Sequence, residues 1–229
     1  MNLAIIPARF GSKALPKKNT STINGKPMIQ YSIEAALNSK HFDEIIVSTN
    51  DNEVKKISNE LGITDIFERE DSLAEDNSRM VDVVIDVLTK YQNKNKQLPE
   101  IFVLLQPTSP LRTSNDIDNS YALLNKNKSK SLISVSKMSE HPYECLIDNG
   151  DTWNFLETPN TKLFRRQDFN DNYYFINGAI YMLNTSFFLK NKSFLIDGES
   201  ILYKMPRHRS IDVDEHLDIE IVKCIQKTI

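Results

Sequence analysis

The sequence predicts an α/β protein built on a doubly wound, mostly parallel sheet. Two patterns indicate this class: short apolar runs, typical of buried parallel strands, and amphipathic segments that alternate with them over the first 135 residues. Length agrees, because 229 residues can bury the core of one domain. We therefore expect a single domain over residues 1–229, with ligands beyond the carboxyl ends of the strands.

The elements follow from apolar spacing, taken in chain order. Short, mainly apolar runs predict strands at Leu3–Ala8, Glu44–Thr49, Ile101–Leu105, Leu132–Val135 and Ala179–Leu183. Apolar residues three and four positions apart predict helices at Met28–Leu37, Val54–Leu61, Val81–Leu88, Asn115–Leu124 and Leu217–Ile225. From about 139 to 175 the pattern changes to short aromatic and polar segments, which predicts a small inserted lobe.

Composition narrows the function classes. A formal net charge of −3 argues against a protein that binds nucleic acid through broad phosphate neutralisation. Cys145 and Cys224 stand far apart and cannot form a disulfide framework, which favours a reducing cytoplasm. The start has an apolar run without a basic leader, and no stretch approaches 18 apolar residues, so we expect neither secretion nor membrane spanning.

A basic loop directly follows the first predicted strand. It reads IPARFGSKALPKKN from Ile6 to Asn19 and includes Arg9, Lys13 and Lys18. A triphosphate needs such a setting, because cations and backbone N–H groups replace its water and counterions. The loop matches neither GxxxxGK[ST] nor GxGxxG, so P-loop hydrolysis and dinucleotide binding lose support. A solvated basic loop accounts for the composition equally well.

A stiff turn, LQPTSPLR, follows the predicted strand Ile101–Leu105. Its Gln106 amide can read a base edge or a sugar hydroxyl through one donor and one acceptor. Taken alone, such a segment is more often a plain strand-to-helix turn, here with Ser114 or Asn115 as the helix cap.

Asp212 and Asp214 alternate along an extended segment near the carboxyl end, so both carboxylates should project from one face. Two such oxygen ligands suit Mg²⁺, although an Asp just before a helix is more often an N-cap. Arg166, within Arg165-Arg166-Gln167, could grip a carboxylate or equally form a charge pair at a strand edge. The four histidines form no zinc motif.

Together, IPARFGSKALPKKN, LLQPTSPLR, FRRQ, NGAIY and SIDVDEHLD resemble the acylneuraminate cytidylyltransferases, or CMP-sialic acid synthetases. The resemblance implies a sheet domain like that of the nucleotide-diphospho-sugar transferases, with residues 139–175 as a dimerisation lobe of a homodimer. It implies Mg²⁺-dependent transfer of CMP from CTP to the anomeric hydroxyl of N-acetylneuraminic acid, or a related nine-carbon acidic (nonulosonic) sugar, with release of pyrophosphate.

The resemblance also assigns roles to positions in the chain. Catalysis would involve Arg9, Lys18 and Asp212, and Mg²⁺ would bind Asp212 and Asp214. The nucleotide would contact Arg9, Lys13, Lys18, Asn19 and Ser78. The sugar would contact Gln106, Pro107, Arg166, Asn177, Gly178, Tyr181 and Phe194, the last from a partner chain.

The sequence departs from the family pattern at Arg79-Met80, at Glu144 and by one extra residue between Gln167 and Asn177. These departures leave the substituents of the accepted sugar open, and legionaminic or pseudaminic acid is the alternative to neuraminic acid. QPTSPLR and NGAIY resemble the neuraminate branch more than the pseudaminate branch, and 3-deoxy-manno-octulosonate fits less well at the Gln-Pro turn. A metal-binding glycosyltransferase would carry its Asp-x-Asp motif in mid-chain. A nonenzymatic nucleotide-binding module of the same fold is the alternative from another class.

Overall fold

A seven-stranded sheet forms the centre of the protein. The computed structural model describes residues 1–12, 15–158 and 173–228. The strands are β1 (Asn2–Pro7), β2 (Thr22–Ile23), β3 (Lys26–Pro27), β4 (Glu44–Thr49), β5 (Ile66–Glu68), β6 (Ile101–Leu104), β7 (Ser131–Lys137), β8 (Leu146–Asp148), β9 (Trp153–Phe155), β10 (Tyr174–Asn184) and β11 (Ile201–Lys204). The helices are α1 (Met28–Leu37), α2 (Asn52–Glu60), α3 (Met80–Asn95), α4 (Ser114–Lys126), α5 (Thr185–Asn191) and α6 (His216–Gln226).

The strand order confirms the doubly wound, mostly parallel sheet. It runs β11-β7-β10-β6-β1-β4-β5, and β1 pairs in parallel with both β4 and β6. Only β10, among the described strands of this sheet, runs antiparallel to its neighbours, β6 and β7. It therefore enters the sheet at the edge where the parallel strands end.

Both faces of the sheet are covered, as the all-apolar strands predict. Leu3 and Ile5 of β1 pack on one face with α3 and α5, whereas Ala4 and Ile6 pack on the other face with α1, α2 and α4. All four side chains are fully buried. This period of two explains why β1 carries no polar residue between Leu3 and Ile6.

Several element boundaries differ from the predictions, among them the start of α4. The cap of α4 is Thr113, and the prediction of Ser114 or Asn115 is wrong. Thr113 is favoured because Asp116 lies three residues on: each side chain accepts from the other's backbone N–H, which completes a capping box. In the predicted lobe, β8 and β9 form a two-stranded hairpin, and the central sheet resumes at Tyr174.

No helix in the described ranges has both the length and the apolar character needed to span a bilayer.

Candidate active site

A cavity of about 270 Å³ opens where β1 and β6 end. Loops from several parts of the chain meet there, as expected at the carboxyl edge of a parallel sheet. Its lining residues are Pro7, Arg9, Ser12, Lys18, Asn19, Arg69, Met80, Gln106, Pro107, Thr108, Asp212 and Asp214. Three segments were identified separately in the sequence: the basic loop, the Gln-Pro turn and the Asp-x-Asp segment. Residues of all three line this one cavity.

Arg9 is held in place by the segment that precedes α3. Its Nη1 donates to the Ala74 carbonyl at 2.9 Å, and its Nη2 pairs with Asp76 at 2.7 Å. Asn19 donates from Nδ2 to the Arg9 carbonyl at 3.0 Å, so it braces the loop backbone from within. Because both members of the Arg9–Asp76 pair are partly exposed, an arriving phosphate can compete with the carboxylate.

Lys18 bridges the basic loop and the acidic segment. Its Nζ donates to Asp214 Oδ1 at 2.9 Å; the Lys18 side chain is 14% exposed and that of Asp214 75%. This contact joins residues 196 positions apart, which no local pattern could indicate. It places a cation and a carboxylate on the same wall of the cavity.

Asp212 is the buried carboxylate of the site. Burial raises its pKa and the charge of Asp214 adds to the rise, whereas a hydrogen bond from Thr108 and the charge of Lys18 oppose it. Its Oδ1 atom is buried without a hydrogen-bond partner among the described residues. An oxygen left unpaired in this way is costly unless a ligand completes it.

The donor set fits a magnesium ion that binds mainly to substrate. No cluster of three or more His, Cys, Asp or Glu side chains capable of holding a metal occurs in the described ranges. Two carboxylates with one orphaned oxygen are typical of Mg²⁺ sites completed by phosphate oxygens and water. The capping interpretation of this segment is wrong, because Glu215 caps α6 and Asp218 supplies the reciprocal bond.

An irregularity in β10 brings Gly178 against the Gln-Pro turn. The register against β7 shifts between Ile176 and Tyr181, and Gly178 has φ of +73°. A Cβ at this position would lie 2.8 Å from Gln106 Oε1 and 3.6 Å from Asp212 Oδ2. Only glycine allows this approach, so Gly178 shapes the cavity because it has no side chain.

Asn177, predicted to contact the sugar, is 1% exposed and does not line the cavity. Its Oδ1 accepts from Ser134 Oγ at 2.6 Å, and its Nδ2 donates to Ser210 Oγ at 2.9 Å. In this structure its side chain therefore clamps the irregular stretch of β10 to β7 and to the segment before Asp212. Contact with a ligand would require these bonds to break.

Tyr181 and Phe194 form an aromatic pair beside the site. Their ring centroids are 5.2 Å apart, and Phe194 also stacks on Phe188 at 5.2 Å. Burial raises the pKa of Tyr181, and the nearby charge of Asp212 raises it further. Phe194 thus packs on Tyr181 of its own chain, and its contribution to a partner's pocket stays a prediction.

Ser78 donates to the Ser72 carbonyl at 2.9 Å and is not among the residues that line the cavity. Lys13 and Arg166 lie outside the described residues.

Sequence reasoning missed Arg69, a cation in the cavity wall. Arg69 is 3% exposed and donates to Ser48 Oγ and the Ser48 carbonyl, at 3.3 and 3.0 Å. Burial, and then repulsion from Arg9, lowers its pKa to about 10. An anion between the two arginines would relieve this cost. Its position directly after the end of β5, which reads Ile66-Phe67-Glu68, was the available signal, since strand ends supply ligand contacts.

These features define a nucleotide-binding α/β enzyme, and the chain belongs to the cytidylyltransferase family, whose model matches residues 3–223. It is 41% identical over 143 residues to CMP-N,N'-diacetyllegionaminic acid synthase of Legionella pneumophila, a match that covers 62% of this chain and 61% of that protein. It is 33% identical over 229 residues to pseudaminic acid cytidylyltransferase of Campylobacter jejuni, covering 99% and 96%.

Another relative is longer than this chain. N-acylneuraminate cytidylyltransferase of Streptococcus agalactiae is 36% identical over 220 residues, covering 94% of this chain but 51% of that protein. Among solved structures, CMP:2-keto-3-deoxy-manno-octonic acid synthetase in complex with CTP superposes with a TM-score of 0.72 at 18% identity, covering 99% and 98%. The predicted family and the predicted nucleotide-diphospho-sugar transferase-like fold are both confirmed.

Proposed function

We propose that this chain transfers CMP from CTP to the anomeric hydroxyl of a nonulosonic acid, N-acetylneuraminic acid or a relative, and releases pyrophosphate. The observation that carries the proposal is the cavity itself, where Asp212, whose Oδ1 atom lacks a partner among the described residues, lines the same space as Arg9 and Lys18. The relatives named above carry sugars of this class in their names. These sugars are neuraminic, legionaminic and pseudaminic acids, so the experiment must decide between them.

Each residue then has a physical task. Arg9, Lys18 and Arg69 compensate the charge of the triphosphate and of the leaving pyrophosphate, while Gln106 and Gly178 border the sugar. The sugar oxygen forms the new bond to the α-phosphorus as the bond to pyrophosphate breaks, and the proton of the hydroxyl passes to water or to the released pyrophosphate. Asp212 and Asp214 would bind Mg²⁺, which when bound neutralises charge on the phosphate oxygens.

The test is pyrophosphate release with CTP and Mg²⁺ across N-acetylneuraminate, legionaminate, pseudaminate and octulosonate. Release with one nonulosonate supports the proposal and identifies the sugar. Asp212→Asn should lower turnover by at least about 100-fold, because an amide would hold Mg²⁺ less well and the bound ion compensates charge at the reacting phosphate. Glu220→Gln, an exposed carboxylate on α6 that pairs with Lys223, should leave turnover unchanged.

Two outcomes would contradict the proposal. CTP binding by a folded sample that releases no pyrophosphate with any sugar would favour the nonenzymatic binding module. Full activity of Asp212→Asn, with circular dichroism like that of the unmutated protein, would remove Asp212 from catalysis.

The hairpin β8–β9 carries an apolar surface that supports a homodimer through the lobe. Leu146, Ile147, Trp153 and Phe155 are 56%, 44%, 56% and 40% exposed, and Ile176 of β10 is 47% exposed. Apolar side chains gathered on so small a lobe are typical of a surface that a partner covers. We take the partner to be a second copy.

Sedimentation can test the homodimer with a matched pair of variants. Trp153→Glu should shift the chain from dimer to monomer, while Leu217→Glu should not, although Leu217 of α6 is 61% exposed. A monomeric unmutated chain, or dissociation by Leu217→Glu alone, would contradict the proposed interface.

We place the enzyme in the cytoplasm, since CTP is a cytoplasmic substrate and Cys145 and Cys224 are both free thiols.

A further inference from the structure

Arg112 is a buried cation that the proposed chemistry does not use. It is 3% exposed, forms no ion pair with any described residue, and does not line the cavity. Burial lowers its pKa to about 9. The charge of Asp116 opposes this fall, but no carboxylate among the described residues contacts the guanidinium group directly. Burying such a charge costs free energy, so we expect its hydrogen bonds to fix a geometry that an apolar residue could not.

Those hydrogen bonds join three segments around the site. Nη1 donates to the Gln106 carbonyl at 3.1 Å and to the Ala179 carbonyl at 2.8 Å. Nη2 donates to Ser32 Oγ of α1 at 2.5 Å, and Ser32 in turn donates to the Gln106 carbonyl at 3.3 Å. One guanidinium group therefore sets the separation between the Gln-Pro turn and the irregular stretch of β10.

The two carbonyls flank the sugar side of the cavity. The register of β10 shifts here, and side chains serve as partners: the Ile180 N–H donates to Ser134 Oγ at 2.7 Å, and the Ala179 carbonyl accepts from Arg112. At the neighbouring Gly178, an added Cβ would lie 2.8 Å from Gln106 Oε1, which is too close for a side chain to be accommodated.

The same turn also supports the metal-binding segment. The Thr108 carbonyl accepts from the Val213 N–H at 2.8 Å, between Asp212 and Asp214. A shift of the turn would therefore move the Gln106 amide and the Asp212 carboxylate together.

We propose that Arg112 is a positioning residue for the acid-sugar half of the reaction, because it locks the Gln106 turn to the Gly178–Ala179 stretch. The inference rests on the proposed function. A lysine cannot replace it, since a single ammonium group does not reproduce the planar fork that reaches both carbonyls and Ser32.

The experiment compares Arg112→Lys and Arg112→Met with the unmutated chain in the pyrophosphate assay, varying each substrate in turn. Displacements of about 1 Å can cost about 100-fold in rate, so we expect kcat/KM for the acid sugar to fall 10- to 100-fold in both variants. The KM for CTP should change by a smaller factor, because Arg9, Lys18 and Arg69, which hold the triphosphate, lie on other segments. Of the described segments that would bind CTP, the turn is hydrogen-bonded only to that of Asp212.

Two controls separate positioning from mere stability. Ser109→Ala lies in the same turn and removes a buried hydroxyl without a described partner, so it should leave both KM values unchanged. Leu124→Ala weakens the core far from the site, where Leu124 is 2% exposed, and should lower the melting temperature with both KM values intact.

The outcomes are distinct. If the unmutated chain turns over no acid sugar, the proposed function fails. If the unmutated chain is active, two results would overturn the positioning role. In one, Arg112→Lys or Arg112→Met lowers only the melting temperature, as Leu124→Ala does. In the other, either variant changes the kinetic parameters for the acid sugar and for CTP by equal factors.

Discussion

Gly178→Ala offers a test of the geometry on the sugar side. At φ of +73° an added Cβ strains the backbone, which costs about 1–2 kcal/mol for an L-residue in the left-handed region. For a chain of this size each kcal/mol lowers the melting temperature by about 2–4 °C. We therefore expect the melting temperature to fall by about 2–8 °C.

The larger effect should appear in catalysis. The new Cβ would stand 2.8 Å from Gln106 Oε1. Carbon and oxygen normally approach to about 3.3 Å, so the amide must retreat by about 0.5 Å. Asp212 Oδ2, at 3.6 Å, is in ordinary contact and can stay. A misplaced amide should lower kcat/KM for the acid sugar by about tenfold, short of the about 100-fold that a 1 Å error can cause.

Gly198→Ala is the matched control. Gly198 has the same φ of +73°, but a Cβ there meets nothing within 4 Å. The melting temperatures of both variants should fall by similar amounts in a thermal scan, and only Gly178→Ala should have reduced turnover in the pyrophosphate assay. Equal turnover of the two variants would refute the close approach of Gly178 and Gln106 as a determinant of activity.

Three further predictions concern charge and capping. Burial raises the pKa of Asp116, but hydrogen bonds from Arg209 and Thr113 outweigh burial and the net pKa is lowered. The ionised carboxylate therefore stabilises the folded chain above about pH 3.9, and this stabilisation is lost as the pH falls further. Arg209→Met should therefore lower the free energy of unfolding by about 2 kcal/mol at pH 7, measured in urea. This is less than the loss of about 3–5 kcal/mol that is usual for breaking a buried ion pair, because the Arg209 side chain is 26% exposed, and the loss relative to the unmutated chain should shrink below about pH 4. Thr113→Ala should cost about 1 kcal/mol in the same assay, through loss of the capping box. Lys18→Gln should raise the KM for CTP about tenfold or more, as loss of a charge-assisted hydrogen bond predicts, whereas Lys17→Gln, a surface pair with Glu53, should not.

Local patterns predicted the fold because its elements are set locally. Helix α1 and strand β4 have the bounds that apolar spacing indicated. The cap of α4 was missed because Thr113, Ser114 and Asn115 can all cap a helix, and both Thr113 and Asn115 have an acidic residue three positions on, Asp116 and Asp118. The capping-box spacing therefore argues against Ser114 but does not distinguish Thr113 from Asn115.

The site was predictable only where its residues belong to motifs. Asn177 illustrates the limit: its partners Ser134 and Ser210 lie 43 and 33 residues away, so no spacing could show that its amide is already engaged. Arg69 and Arg112 were missed for a related reason. A cation is normally read as exposed, and only tertiary packing shows that these two are buried.

The strand order explains why motifs scattered from Ile6 to Asp218 meet. The chain winds from β1 outward through β4 and β5, then returns to β6 on the other side of β1, so the segments after β1 and β6 diverge and leave a crevice. Cations follow β1 and the Gln106 amide follows β6, so the proposed contacts to phosphate and to sugar come from different strands. Because β10 runs antiparallel beside β6, its first half lies at this same edge, and Gly178 falls there. Had β10 run parallel to β6, Asn177 and Gly178 would lie toward the opposite edge of the sheet, and neither Gln106 nor Asp212 could approach them.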